Sequence, residues 1–183
     1  FFASTTEVMK SVEEGSVTTG LLTLQALMAV KEQAGQERAT GNGLVSAGSI
    51  QPDRWQAFVE VVARENDRLA EFLALAAGLH DDLAKRAEAS PKLADVQRMR
   101  RVFSSALDTG LLAGVTPADW WKASSAWIDE LKSIEDMLAA SVAERAVTMA
   151  ADARRAFATY AIVGIAAILV AGGLGLAVAH SIA

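Results

Sequence analysis

Cysteine is absent from this chain of 183 residues, which excludes disulfide frameworks, thiol nucleophiles and cysteine-bound zinc. Positive charge is in deficit: 17 Lys and Arg stand against 22 Asp and Glu. No basic cluster is interleaved with aromatic residues, so nucleic acid is not an expected partner. The two histidines, His80 and His180, are isolated, and His80 beside Asp81 and Asp82 reads as a surface loop, so no metal site is expected. Ser124 and Ser125 have no base paired with them, and nothing else resembles an acid/base constellation; neither an enzyme nor a cofactor is expected. Alternating β-branched residues are nowhere sustained, which argues against strands. Finally, residues 156–183 contain no Asp, Glu, Lys or Arg. As a helix that run rises roughly 42 Å, more than the ~30 Å hydrocarbon core of a bilayer.

What is present is helical punctuation. The three prolines each stand where a helix would begin, a position at which the missing N–H costs nothing. Pro91 follows Ser90, and Pro117 follows Thr116 with Asp119 three residues on, close to a capping box. The reading is all-α: helices near 4–47, 52–77 and 91–110, a connector or short helix at 78–89, and a fourth helix from 117. In that helix Trp127, Leu131, Ile134, Leu138, Val142, Met149 and Ala153 form one apolar stripe. Neither Gly nor Pro interrupts it before the uncharged run. The expected architecture is an up-and-down antiparallel bundle whose long last helix continues into a transmembrane helix. Residues 1–155 would form the soluble domain, 156–180 the span in a lipid bilayer, and 181–183 the start of a cytoplasmic region. Ala167, Ala171, Gly175 and Ala179 form a small-residue ladder in the span, suited to a homodimer contact. The four tryptophans, Trp55, Trp120, Trp121 and Trp127, read as core packing ahead of an aromatic cage.

On the first helix the apolar stripe from Leu24 and Leu27 continues through Lys31, Ala34 and Arg38 toward Val45, which places two cations on or beside the inward face. A guanidinium there needs a carboxylate partner, such as Glu32, Glu37 or one on a facing helix, or else an anionic ligand that suits its planar fork. Lys31 can snorkel outward. Gly35 lies mid-helix at a cost of ~1 kcal/mol against Ala, and with Ala34 and Ala39 leaves room for a close backbone approach or a small molecule. Further cationic candidates are Arg145, which interrupts the stripe of the fourth helix, and Arg101 with its neighbours Arg98 and Arg100, a cluster that otherwise reads as a solvated face.

The stretch LQALMAVKEQAGQERA, followed by GSIQPDRWQAF, resembles the nitrate- and nitrite-sensing (NIT) domain of bacterial chemoreceptors and sensor histidine kinases. The likeness is strongest over 21–77 and looser through Trp120, Trp121 and the last helix. It implies an all-α sensor that binds nitrate or nitrite through arginines between helices, with Arg38 carried over by motif and Lys31, Arg145 and Arg101 as further ligand-binding candidates. It also implies an N-terminally incomplete domain, a bacterial inner-membrane location, and an extracytoplasmic sensor with its output beyond Ala183. Arg154 and Arg155, just before the span, taken alone would place that end in the cytoplasm instead. The competing expectation, from a different class, is a membrane-anchored structural or assembly subunit that binds no small molecule.

Overall fold

The computed structural model describes the backbone of residues 2–110 and 112–182, and side chains at 15–110, 112–174 and 180. It contains five helices: α1 (Phe2–Ser46), α2 (Pro52–Ala76), α3 (Asp81–Glu88), α4 (Pro91–Thr109) and α5 (Pro117–Ile182). Among the described residues there is no strand. Pro52, Pro91 and Pro117 each open a helix, as their fixed φ and missing N–H dictate. Ser90 Oγ accepts from Lys92 N–H at 3.3 Å and so caps α4, which ends at Gly110 in the left-handed region, φ 69°. At the start of α5, Thr116 Oγ1 accepts from the Asp119 N–H at 3.1 Å, while Asp119 Oδ2 accepts from the Thr116 N–H at 3.0 Å. This reciprocal box satisfies donors that a helix start leaves open. The 78–89 connector is a helix over Asp81–Glu88, and the surface reading of His80 is corrected: it is 7 % exposed, at the N-cap of α3.

The chain divides into two units, Phe1–Val142 and Ala143–Ala183. Within the first, the helix directions follow from who meets whom. Thr23, Gln33 and Gly43 of α1 bond to Leu75, Arg64 and Arg54 of α2, so the two run antiparallel. Glu37 of α1 and Asn66 of α2 both take donors from Arg100, and Phe58 of α2 meets Phe103 of α4, so α4 again reverses direction. Arg38 of α1 meets Ser125 of α5, and Lys31 meets Glu135, which reverses it once more. The result is the expected up-and-down four-helix bundle, with α3 inserted between the second and third long helices.

The core is continuous. Leu27, Val30, Leu44, Phe72, Val96, Phe103, Trp127, Leu131, Ile134 and Leu138 are essentially inaccessible. One end is aromatic: Phe58, Phe103 and Trp120 pack with ring centroids 5.1 to 5.8 Å apart. The last-helix stripe is buried through Val142, but Met149 is only half-buried and Ala153 exposed. On α1 the inward face differs by one residue from the expected one. It runs Leu27, Val30, Ala34, Glu37, Gly41, Leu44, so that Glu37 points inward and Arg38 stands at the flank toward α5.

Two glycines other than Gly35 provide the close approaches. A Cβ on Gly41 would lie 2.5 Å from Trp120 Cε2, and one on Gly20 would lie 2.7 Å from Val142 Cγ2. A Cβ on Gly35 would meet nothing within 4 Å, so that glycine does not create the expected close contact.

In the second unit α5 continues as one helix, and its apolar side chains over 156–174 are exposed, including Phe157, Ile165, Ile168 and Leu174. The helix contains a window of mean hydropathy 2.1, none of it buried, which makes it long and apolar enough to cross a membrane. Of the small-residue ladder, Ala167 and Ala171 are exposed; the side chains of Gly175 and Ala179 lie outside the described residues.

Candidate functional site

Arg38 sits at the seam between α1 and α5. Its guanidinium lies over the Trp121 ring, 4.4 Å from the centroid, and Nη1 donates to Ser125 Oγ at 3.1 Å. The stacked indole attracts the cation through its π face and shields it from water. Nε is buried and has no hydrogen-bond partner. Among the described residues Arg38 forms no ion pair, so the carboxylate expected for it on Glu32, Glu37 or a facing helix is not there. The backbone of this turn is fixed from the other side: Trp120 Nε1 donates to the Arg38 carbonyl at 2.9 Å, and its ring fills the space that Gly41 leaves open. Consecutive tryptophans on α5 thus treat one residue of α1 differently, one holding its main chain and the other its side chain.

Glu37 faces a buried polar layer to which all four long helices contribute. Arg100 of α4 donates from Nε to Glu37 Oε1 at 2.7 Å and from Nη2 to Oε2 at 2.6 Å, the two-pronged geometry that suits a guanidinium and a carboxylate. Its Nη1 donates to Asn66 Oδ1 at 3.4 Å. Glu65 of α2 accepts from the Trp127 indole of α5 at 2.9 Å, and its other oxygen lies 3.0 Å from Arg100 Nη2. Burial pushes Glu65 up to about 8, and the Glu37 carboxyl beside it adds to the rise. Arg100 is raised as well: burial alone would lower it, but hydrogen bonding to Glu37 and the two carboxylate charges outweigh that.

The remaining candidates have other surroundings. Lys31 is paired with Glu135 of α5, and that carboxyl is held low: burial works to raise it, but the hydrogen bonds from Lys31 and Lys132 prevail. Arg101 is exposed on α4 and lines a surface pocket of about 480 Å³ with Arg98, Val102, Ser105, Thr109 and Ala113. Arg145 belongs to the second unit. Within the 98–101 cluster it is Arg100 that turns inward; its side chain is 12 % exposed, against a solvated expectation. Sequence reading missed Trp121 and Ser125 as the partners of Arg38, because a lone hydroxyl and an aromatic at helical spacing carry no signal of their own.

Another buried carboxylate has a structural role. Glu130 of α5 accepts from Arg86 Nε of α3 and Lys92 Nζ of α4, both at 2.6 Å, and these hydrogen bonds hold its carboxyl below the usual range. It ties α3 and the start of α4 to α5. Among the described residues no group of three His, Asp or Glu could hold a metal ion.

No curated protein and no solved structure matches the chain. The family model described as nitrate and nitrite sensing (NIT) matches residues 2–143, nearly the whole first unit. The match spans the helical bundle, and the chain is a member of the nitrate- and nitrite-sensing family.

Proposed function

We propose that this chain is the extracytoplasmic sensing region of a bacterial inner-membrane signalling receptor, and that Arg38 binds nitrate or nitrite. The observation that carries the reading is the state of Arg38: a guanidinium at a helix seam, stacked on Trp121, tethered by one hydroxyl and, among the described residues, without a carboxylate. A planar oxyanion can accept two parallel N–H bonds from such a fork, and a half-dry setting strengthens them. The ligand would favour one arrangement of α1 against α5 over another, and differential affinity is the only way a ligand can shift such an equilibrium. Because α5 runs without interruption to Ile182, a shift at Trp121 and Ser125 acts on the same helix that carries the apolar run. That run would cross the bilayer, and a second copy of the chain would pair with the first. Lys31 is engaged by Glu135 and Arg101 lines a surface pocket, so neither is assigned to the anion.

Calorimetric titration of the purified chain with nitrate and with nitrite tests the reading. Wild type binds at least one of them; Arg38→Ala abolishes the heat of binding, and Arg38→Lys weakens affinity about tenfold or more, since an ammonium lacks the planar fork. Absence of binding by wild type, or equal affinity in Arg38→Ala with an unchanged helical circular-dichroism signal, overturns it.

A further inference from the structure

The polar layer across the bundle is unbalanced in charge. It sets two carboxylates, Glu37 and Glu65, each 1 % exposed, against one guanidinium and a neutral indole. Glu37 takes both prongs of Arg100. Glu65 keeps the Trp127 N–H on Oε1, but its buried Oε2 receives no aligned donor, although Arg100 Nη2 is only 3.0 Å away. A second full negative charge at that depth, with no fork of its own, is strongly disfavoured. One proton balances the count, and a carboxyl oxygen without a donor beside another carboxylate is where it fits.

We propose that this layer is a proton-linked latch: one proton held between Glu37 and Glu65 keeps α1, α2, α4 and α5 in their present arrangement, and its loss loosens α2 from its neighbours. The latch uses none of the groups that hold Arg38, which are Trp121 and Ser125. The groups that face Glu65 are Glu37 from α1, Arg100 from α4 and Trp127 from α5. On its own helix, Asn66 is taken up by Arg100, and Arg64 is turned to Gln33. Burial and Glu37 push the Glu65 carboxyl up to about 8, so the proton is retained at neutral pH and released in mild alkali. Since the folded chain holds this proton more tightly than the unfolded chain, whose ordinary value is 4.5, the associated stability is complete below about 4.5. It is lost progressively as pH rises, and the loss is complete above about 8.

The test is thermal unfolding of the full chain in detergent micelles, followed by circular dichroism from pH 5 to 9.5. The wild-type midpoint falls as pH rises to about 8 and levels off above that. Glu65→Gln keeps an acceptor for Trp127 but carries no charge, and it loses the fall. Glu37→Gln reduces it, because Glu65 then faces no second carboxylate and takes the Arg100 fork for itself. Removing the cation with Arg100→Met does the opposite and steepens the fall. Wild-type and Glu65→Gln profiles that run parallel overturn the proposal, as does a full fall retained in Glu37→Gln. If the variants do not fold, carbon-13 NMR of the glutamate carboxyls in the unmodified chain decides: one carboxyl titrating near 8 supports the latch, and none titrating above pH 7 overturns it.

Discussion

Trp120 and Trp121 show how much one position on a helix decides. Trp120 is fully buried and reaches the main chain of α1 only because Gly41 has no side chain; Trp121 is half exposed and stacks on the Arg38 guanidinium. Gly41→Ala would force the indole out of a packed aromatic cluster. The expected cost is about 1–3 kcal/mol of unfolding free energy, as for other overpacked cores, measured by urea denaturation. Gly35→Ala is the contrasting case: its Cβ meets nothing, and a helical glycine replaced by alanine should gain about 0.5–1 kcal/mol in the same measurement. Sequence alone points to Gly35 for a close approach that Gly41 and Gly20 make instead. With Leu24, Leu27 and Ala34 on one stripe, either Lys31 and Arg38 or Val30 and Glu37 can complete it; Val30 favours the second face, but Glu37 and Arg38 both hold charge, and apolar spacing does not choose between them. The choice falls to Arg100, which lies far away in the chain and supplies the fork that makes Glu37 the inward residue.

At the scale of elements, the helix boundaries were legible because their signals are local. Pro52, Pro91 and Pro117, the Ser90 cap and the Thr116–Asp119 box act within a few residues of themselves. The short α3 was not legible in the same way, since eight residues with little apolar content depend on what they dock against. That dock is Glu130, which joins Arg86 of α3 and Lys92 of α4 to α5. The hydrogen bonds from Arg86 and Lys92 hold the Glu130 carboxyl below its ordinary 4.5, so the stability it supplies is present above that value and is lost as pH falls through the lowered one. Glu130→Gln should therefore cost about 1 kcal/mol at neutral pH, after discounting for the half-exposed cations, and should flatten the acid limb of the stability profile. Chemical denaturation between pH 3 and 7 reads both effects. An acid limb identical to wild type would remove Glu130 from the account.

For the whole molecule, two compositions share one continuous helix. Through Val142 the inner face of α5 is core; over 156–174 its apolar side chains are exposed, with Phe157, Tyr160 and Ile168 each more than 70 % exposed. So much unpaired apolar surface is the expected state of a helix whose surroundings are lipid. The absence of cysteine turns this into a direct test of orientation. Ala47→Cys, in the exposed turn after α1, introduces the only thiol in the sequence and should react with an impermeant maleimide added to intact bacterial cells. Labelling only after lysis would put the bundle on the cytoplasmic side, as Arg154 and Arg155 alone would have it.

Glu37 and Arg38 are consecutive on α1, one serving the polar layer and the other the seam with α5. Consecutive residues on a helix are about 100° apart and cannot turn independently. α1 therefore acts as a crank: a twist that carries the guanidinium away from Trp121 must swing the neighbouring carboxylate within the Arg100 fork. Torque applied at either contact is delivered to the other by one peptide bond, without any intervening chain of side chains.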